Sequence, residues 1–152
     1  MRRIAFFPGS FDPITKGHED IVRRALPMFD KIIVAIGVNS SKNEMFPLKQ
    51  KQNWIKKTFS DCLSVEVINY EGLTIDACKK HQAKFILRGL RNSNDYEYEK
   101  SIAMMNQAME TSIETIYLNT HPKWAAISST IVRDIIKNKG NAKPFLASGV
   151  QL

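Results

Sequence analysis

The chain has 152 residues, 43% of them hydrophobic, and it carries a formal net charge of +7 at pH 7. This length fits one domain, residues 1–152, that can bury a core, and the composition excludes a largely disordered chain. The positive charge favours a polyanionic partner, and because the lysines are scattered we expect a phosphorylated small molecule rather than nucleic acid.

The first stretch of the chain predicts a strand, a sharp turn and a helix. Residues 4–7 form a short apolar run that stops at Pro8-Gly9, which is typical of a buried strand entering a turn. This run is too short for a signal peptide, and no segment is long enough to span a bilayer. We therefore expect a soluble, cytoplasmic protein with no membrane partner. Thr15 is a good N-cap for the helix that follows.

His18 falls in the first turn of this predicted helix, where free backbone N–H groups and the helix dipole attract phosphate. Together with the hydroxyl of Ser10 in the preceding loop, it indicates a phosphate site. A histidine at a helix start is also often a plain capping or surface residue. The loop alone therefore leaves both interpretations open.

The rest of the chain alternates apolar β-type runs with helical patterns. We predict further strands at 31–38, 64–70, 85–87 and 115–118, and helices at 47–59, 74–81, 95–110 and from Ser128 or Ser129 onward. Pro27 is expected to end or kink the first helix. Five strands alternating with helices predict an α/β fold, a single Rossmann-like, doubly wound five-stranded parallel sheet with helices on both faces.

Two of these helices carry further expectations. The helix at 95–110 has an apolar stripe that predicts either a core face or a subunit contact: Tyr98, Ile102, Met105 and Met109. The last helix closes with Gly140 as its C-cap and turns four residues inward: Ile131, Val132, Ile135 and Ile136. The two cysteines, Cys62 and Cys78, have neither CxxC spacing nor clustered histidines, so we expect them to be reduced.

Ligands of doubly wound sheets bind at the carboxyl ends of the strands. The sequence places polar, basic or glycine-bearing segments there: 8–18, the Lys42 loop, Thr74, 88–91 and 124–130. Arg88 and Arg91 follow a predicted buried strand, and planar guanidinium groups suit phosphate oxygens. Three alternatives stay open. The arginines could form surface salt bridges to Asp95, Glu97 or Glu99, Lys42 could be a solvated surface residue, and the hydroxyls at 128–130 could be ordinary helix caps.

Three motifs together resemble the nucleotidyltransferase superfamily and, within it, the bacterial phosphopantetheine adenylyltransferases. They are Pro8-Gly9-Ser10-Phe11-Asp12-Pro13 with Thr15-x-Gly17-His18, Arg88-Gly89-Leu90-Arg91 followed by Asp95-Tyr96-Glu97-Tyr98-Glu99, and Ile127-Ser128-Ser129-Thr130. The resemblance runs from about residue 2 to 140. It implies transfer of AMP from ATP to 4′-phosphopantetheine, giving dephospho-CoA and pyrophosphate in coenzyme A biosynthesis. It also implies Mg²⁺ held mainly by the ATP phosphates rather than by protein ligands, a homohexamer and feedback inhibition by coenzyme A.

The resemblance also implies roles for individual residues. Catalysis would fall to His18, Lys42 and Arg91. The acceptor would be held by Ser10, Lys42, Thr74 and Arg88. ATP would be held by Ser10, Phe11, His18, Gly89, Leu90, Arg91, Glu99, Trp124, Ala125, Ala126, Ile127, Ser128, Ser129 and Thr130. The pattern at 127–133 also occurs in nicotinamide mononucleotide adenylyltransferases, so adenylyl or cytidylyl transfer to another phosphate acceptor, such as nicotinamide mononucleotide, is the alternative.

Overall fold

Five parallel strands form the centre of the molecule, whose computed structural model describes residues 1–152. They are β1 (Ile4–Gly9), β2 (Lys31–Gly37), β3 (Val65–Tyr70), β4 (Phe85–Leu90) and β5 (Glu114–Asn119). Their spatial order is β3-β2-β1-β4-β5, and every neighbouring pair is parallel. The predicted Rossmann-like sheet is confirmed. Successive strands are added toward one edge of the sheet from β1 to β3 and toward the other edge from β4 to β5. Such folds bind their ligands where this order switches, between β1 and β4.

Five helices connect the strands. They are α1 (Lys16–Ala25), α2 (Leu48–Thr58), α3 (Thr74–Lys80), α4 (Ser93–Met109) and α5 (Ser129–Lys137). Short 3-10 helices lie at Leu26–Met28, Pro122–Trp124 and Lys143–Phe145. Pro27 lies inside the first of these, so α1 ends at Ala25 as predicted. No helix combines the length and the apolar character that a membrane crossing requires.

The two faces of the sheet bury separate apolar clusters, because successive strand side chains point to opposite sides. Ala5 and Phe7 of β1 pack with α1 and α2, whereas Ile4 and Phe6 pack with α3. Phe6 is fully buried and pairs with strand residues on both sides of β1. Burial on both faces explains why the strands read as continuous apolar runs.

β4 extends three residues further than its apolar run predicted. Arg88, Gly89 and Leu90 are strand residues because all three pair in register with β5. Arg88 lies two positions after Ile86 and therefore faces the same side of the sheet, toward α4. Gly89 faces the opposite side, where an added Cβ would lie 3.1 Å from the side chain of Ile21.

Helix α4 does not use its apolar stripe to pack against the sheet. Tyr98, Met105 and Met109 are 71%, 64% and 51% exposed, and Ile102 is 41% exposed. The only buried residue of α4 is Glu99. The core interpretation of the stripe is therefore wrong for this chain on its own.

Helix α5 corrects two predictions. Ile131 is 55% exposed, because it lies about 100° around the axis from the buried Val132 and falls at the edge of the apolar stripe. Gly140 is not the residue that reverses the backbone: Lys139 does so with φ 59°, and Gly140 follows it. The N–H of Gly140 donates to Ile135 O at 2.8 Å, and a Cβ there would lie 2.9 Å from Ile135 Cγ2. Glycine is required by close approach rather than by its own φ.

The segment around Gly149 packs tightly on α2, and we expect Gly149→Ala to lower the free energy of unfolding by about 2–3 kcal/mol. The N–H of Gly149 donates to Thr58 Oγ1 at 3.1 Å. An added Cβ would overlap Thr58 N and lie 2.5 Å from Trp54 O, both rigid helix backbone. Urea unfolding measures the loss. Gly37→Ala is the control, since its Cβ meets only Tyr70 at 3.5 Å, an ordinary contact; equal stability of both variants would contradict the expectation.

Candidate active site

Two adjoining cavities open at the carboxyl ends of the strands. The larger, about 710 Å³, lies between the ends of β1 and β2 and the helices α3 and α4. The smaller, about 320 Å³, lies between the ends of β1 and β4 and the N-termini of α1 and α5. The two cavities share a wall formed by Pro8, Gly9, Ser10, Arg88 and Glu99. A ligand in one cavity is therefore adjacent to a ligand in the other.

Most of the residues singled out in the sequence line these cavities. The larger cavity receives Ser10, Lys42, Thr74, Arg88 and Glu99. The smaller receives Ser10, Phe11, His18, Arg88, Gly89, Arg91, Glu99, Ile127, Ser128, Ser129 and Thr130. Four residues line neither cavity: Leu90, Trp124, Ala125 and Ala126. Trp124 belongs to the 3-10 turn before α5, where the ammonium groups of Lys16 and Lys123 lie 5.3 and 4.8 Å from its ring centre.

The loop between β1 and α1 is fixed from two sides. The Asp12 carboxylate accepts the backbone N–H groups of Met45 and Phe46 at 2.8 and 3.0 Å. On the other side, Arg133 donates to Asp12 O and Ser129 Oγ donates to Pro13 O, both at 2.9 Å. Tertiary contacts therefore hold Ser10 and Phe11 in place, and Phe11 adopts φ 47°.

His18 lines the smaller cavity, and one of its two ring nitrogens is engaged by the chain itself. Its Nδ1 accepts the Thr15 backbone N–H at 3.0 Å, while Thr15 Oγ1 accepts the His18 N–H, which completes a capping box. Because Nδ1 acts as an acceptor, this hydrogen-bond network assigns the proton of the neutral ring to Nε2. The Phe11 ring packs edge-on against the imidazole at 5.1 Å.

Burial, followed by the positive charges of Arg88 and Arg91, lowers the pKa of His18 to about 4. At neutral pH the side chain is therefore an uncharged N–H donor. We expect NMR of the imidazole nitrogens to show the Nε2–H form from pH 5.5 to 8, with protonation only as the pH approaches 4. A His18→Gln variant assigns the signal. A midpoint near 6.5, the ordinary value for histidine, would contradict this description.

Both arginines at the end of β4 form salt bridges with carboxylates of α4, Glu99 and Asp95, but they also line the smaller cavity and Glu99 is buried, so these are not plain surface pairs. Arg88 donates to both oxygens of Glu99 at 3.0 and 2.6 Å and to Pro8 O at 2.7 Å. Arg91 donates to Asp95 at 3.1 and 3.3 Å. These pairs orient each guanidinium and leave some of its five N–H groups free for a ligand in the smaller cavity.

The Arg91 contact is reflected in the titration of its partner. Burial alone would raise the pKa of the Asp95 carboxyl, but hydrogen bonds from the side chain and backbone N–H of Arg91 outweigh burial and lower it. Asp95 is therefore a carboxylate at neutral pH. Its charge offsets that of Arg91, so Arg91 acts here as a directed hydrogen-bond donor more than as a free positive charge.

The three hydroxyls at the start of α5 all make contacts within the chain, and the helix start also offers backbone donors. Ser128 Oγ caps the helix by accepting the Ile131 N–H at 3.2 Å, Ser129 Oγ donates to Pro13 O, and Thr130 Oγ1 accepts from Arg133 at 3.2 Å. The N–H groups of the first helical turn have no intrahelical acceptor and lie at the positive end of the helix dipole. These groups favour an anion in the smaller cavity.

The larger cavity has a different character. Lys42 is exposed on the loop after β2, and Thr74 begins α3 with its hydroxyl 2.9 Å from Tyr70 Oη. Three residues of α4 also line the cavity: Ile102, Ala103 and Asn106. Its lining therefore combines the cations Lys42 and Arg88 with three carboxylates and a few apolar residues; the carboxylates are Glu44, Glu71 and Glu99. No cluster of three or more His, Cys, Asp or Glu side chains is arranged to hold a metal ion.

Two residues that shape this site were not identified from the sequence. Asp12 clamps the β1–α1 loop, and Lys51 lies fully buried beneath Ser10. A signal for Lys51 existed, because it precedes Trp54, Ile55 and Thr58 by three, four and seven positions and so shares their buried helix face.

Comparison with known proteins identifies the family of the chain. Residues 6–135 match the model of the cytidylyltransferase-like family. Phosphopantetheine adenylyltransferases of Flavobacterium psychrophilum and Flavobacterium johnsoniae are 54% and 51% identical over 150 residues, 99% of this chain and 99% and 98% of theirs.

Among solved structures, a bifunctional NMN adenylyltransferase/ADP ribose pyrophosphatase of Francisella tularensis superposes with a TM-score of 0.73 at 19% identity. The match covers 99% of this chain but only 46% of that longer protein, and it shows a shared fold. The sequence relatives give a more specific assignment, because they are more than half identical to this chain over nearly its whole length. The chain belongs to the phosphopantetheine adenylyltransferase family of cytidylyltransferase-like proteins.

Proposed function

We propose that this chain transfers AMP from ATP to 4′-phosphopantetheine, giving dephospho-CoA and pyrophosphate in coenzyme A biosynthesis, with residues 1–152 acting as one catalytic domain. Membership of the family supports the reaction. The observation that carries the mechanism is the pair of cavities that meet at Ser10 and Arg88, with the His18 donor beside the junction. Two substrates can react there without leaving their own sites.

ATP fits the smaller cavity, because the N-termini of α1 and α5 and the arginines Arg88 and Arg91 all supply donors to phosphate there. Phe11, Gly89 and Glu99 complete its wall. Leu90 and residues 124–126 would contact the nucleotide only where it extends past the cavity. Phosphopantetheine fits the larger cavity, with its phosphate toward Ser10, Lys42 and Arg88 and its chain passing Thr74 toward α4.

The reaction requires little covalent chemistry from the protein. An oxygen of the acceptor phosphate attacks the α-phosphorus of ATP, a new P–O bond forms, and the bond to the β-phosphate breaks to release pyrophosphate. Because a phosphate monoester oxygen is anionic at neutral pH, no general base is needed. The Nε2–H of His18, the ammonium of Lys42 and the guanidinium of Arg91 would stabilise charge on the transferring group, and positioning supplies much of the rate.

Mg²⁺ would be carried by the ATP phosphates and water, which is its usual preference. The carboxylates that line the smaller cavity fit this arrangement. Asp95 and Glu99 each accept hydrogen bonds from an arginine, so neither is free to act as a metal ligand. The ion would neutralise phosphate charge during transfer. The chain's own part is to orient those phosphates through Arg91 and the first N–H groups of α5.

The function is tested by pyrophosphate release with ATP, Mg²⁺ and four separate acceptors. These are 4′-phosphopantetheine, pantetheine, nicotinamide mononucleotide and glycerol 3-phosphate. We expect turnover with phosphopantetheine alone, since pantetheine lacks the attacking phosphate. Turnover with nicotinamide mononucleotide instead would keep adenylyl transfer and discard the proposed acceptor.

A homohexamer would give the exposed stripe of α4 a partner. Sedimentation should then yield a mass six times that of the 17.3 kDa chain. We expect Met105→Glu to shift the protein to smaller species, because a charge would be buried at the contact. Leu63→Glu is the control, since Leu63 is fully exposed elsewhere on the surface. A wild-type monomer, or a Met105→Glu variant of unchanged mass, would contradict this assembly.

The larger cavity also suggests how the enzyme is regulated. Coenzyme A contains the phosphopantetheine group, so it would enter the larger cavity and inhibit by competing with the acceptor. We place the enzyme in the cytoplasm, where thiols stay reduced, because Cys62 and Cys78 are both unpaired.

A further inference from the structure

A lysine with no exposed surface lies beneath the shared wall of the two cavities. The side chain of Lys51 is 0% exposed, although lysine is almost never fully buried unless it is paired. Its ammonium donates to Ser10 O at 2.9 Å and to the carboxylate of Glu44. Ser10 belongs to the loop after β1, and Glu44 belongs to the loop after β2 that carries Lys42.

We propose that the Lys51–Glu44 pair positions the Lys42 loop relative to the Ser10 loop and thereby sets the spacing of the groups that receive the acceptor phosphate. This inference rests on the proposed function. Lys51 is a positioning residue, because it lines neither cavity and acts through Ser10 and the Lys42 loop. Glu44 positions the same loop through its bond to Lys51, and it also lines the larger cavity. One ammonium bonded to both loops fixes their separation from a rigid point on α2.

A second set of contacts joins the same two loops and explains why one pair can have this effect. Asp12 accepts the N–H groups of Met45 and Phe46, and the Phe46 ring packs edge-on against Trp54 of α2 at 4.8 Å. These contacts hold the segment that follows Glu44. The stretch from Val38 to Pro47 has no helix or strand, and Glu44 is the first residue after Lys42 whose side chain bonds to α2.

One buried oxygen of Glu44 indicates that the loop is held in place at this residue. Its Oε1 atom is buried without any hydrogen-bond partner, while the other oxygen meets Lys51. A carboxylate on a loop that was free to move would turn this oxygen to water, because a buried unpaired acceptor is unfavourable. The surrounding contacts therefore hold Glu44 in this position although one of its oxygens is unpaired.

The test replaces the pair by apolar residues of similar size, Glu44→Leu with Lys51→Met, which removes both charges together and avoids leaving one of them buried alone. We expect KM for phosphopantetheine to rise about tenfold or more and kcat to fall, because displacement of a binding group by about 1 Å can cost up to ~100-fold. KM for ATP should stay within about twofold. Lys57→Met, on the exposed side of α2, is the matched control.

A second variant keeps the result interpretable if the double substitution unfolds. Glu44→Asp retains the charge but shortens its reach, and we expect calorimetry to show weaker binding of phosphopantetheine with ATP binding unchanged. A purely structural role would lower the folded fraction and affect both substrates equally. Unchanged acceptor binding in Glu44→Asp, or unchanged acceptor kinetics in a folded double variant, would overturn the proposal. Failure of the wild type to use phosphopantetheine would instead refute the proposed function.

Discussion

Replacing His18 with alanine is expected to lower kcat by about 100- to 1,000-fold, the range seen when one preorganised donor to a developing oxyanion is removed. KM for ATP should change only a few-fold, because the arginines and the N-terminus of α5 still hold the phosphates. Steady-state pyrophosphate release measures both constants. We expect a large effect on kcat and a small one on KM because Thr15 fixes His18 Nδ1 and leaves Nε2–H free to donate to the transferring phosphate.

His121→Ala is the control for this measurement, since His121 is exposed and lines neither cavity. Its kcat should equal that of the wild type. A His18→Ala enzyme with unchanged kcat and a large rise in KM for ATP would show that the residue binds substrate and transition state equally. In that case, the proposed stabilisation of the transferring phosphate would be wrong.

Arg88→Ala should be the second most damaging substitution, lowering kcat/KM by about 100-fold or more. Arg88 belongs to both cavities and links Glu99 of α4 to Pro8 O near the end of β1. Its loss removes a phosphate donor and leaves the nearly buried Glu99 carboxylate unpaired. Because the Arg88 side chain is 31% exposed, solvent screens the pair, and we expect the free energy of unfolding to fall by about 2 kcal/mol rather than by the full penalty for a buried pair.

The variants Arg88→Lys and Glu99→Gln separate the two effects. Lysine keeps the charge but cannot bridge Glu99 and Pro8 together, so it should restore only part of the activity. Glu99→Gln leaves the guanidinium in place without its bidentate partner and should weaken substrate use with little loss of stability. Full activity of Arg88→Lys would mean that charge alone, without orientation, accounts for the role of Arg88.

Local signals in the sequence predicted the elements of the fold well. The apolar runs of β1 and β2 identify buried parallel strands because such strands are covered on both faces. Thr15 and Ser128 identify helix starts because their hydroxyls accept from backbone N–H groups two or three residues on. These effects depend on neighbouring residues, which a single sequence displays directly.

Long-range pairing could not be read in the same way. One partner of Lys51, the carbonyl of Ser10, is 41 residues away, and the three residues that extend β4 are strand residues only because β5 lies beside them. The apolar stripe of α4 shows that a surface is apolar but not whether the same chain covers it. The sequence identified Arg88 and Arg91 as candidate site residues, but it could not show whether their guanidinium groups are free. In the structure they are paired with Glu99 and Asp95.

A crystal structure with phosphopantetheine and an ATP analogue that has a methylene between its α- and β-phosphorus would test the central claim most directly. We predict the acceptor phosphate beside Ser10 and Lys42 in the larger cavity, and the α-phosphate beside His18 Nε2 in the smaller one. The attacking oxygen should lie about 3–3.5 Å from the α-phosphorus, opposite the bond to be broken. Both ligands in one cavity, or an α-phosphate out of reach of His18, would contradict the account.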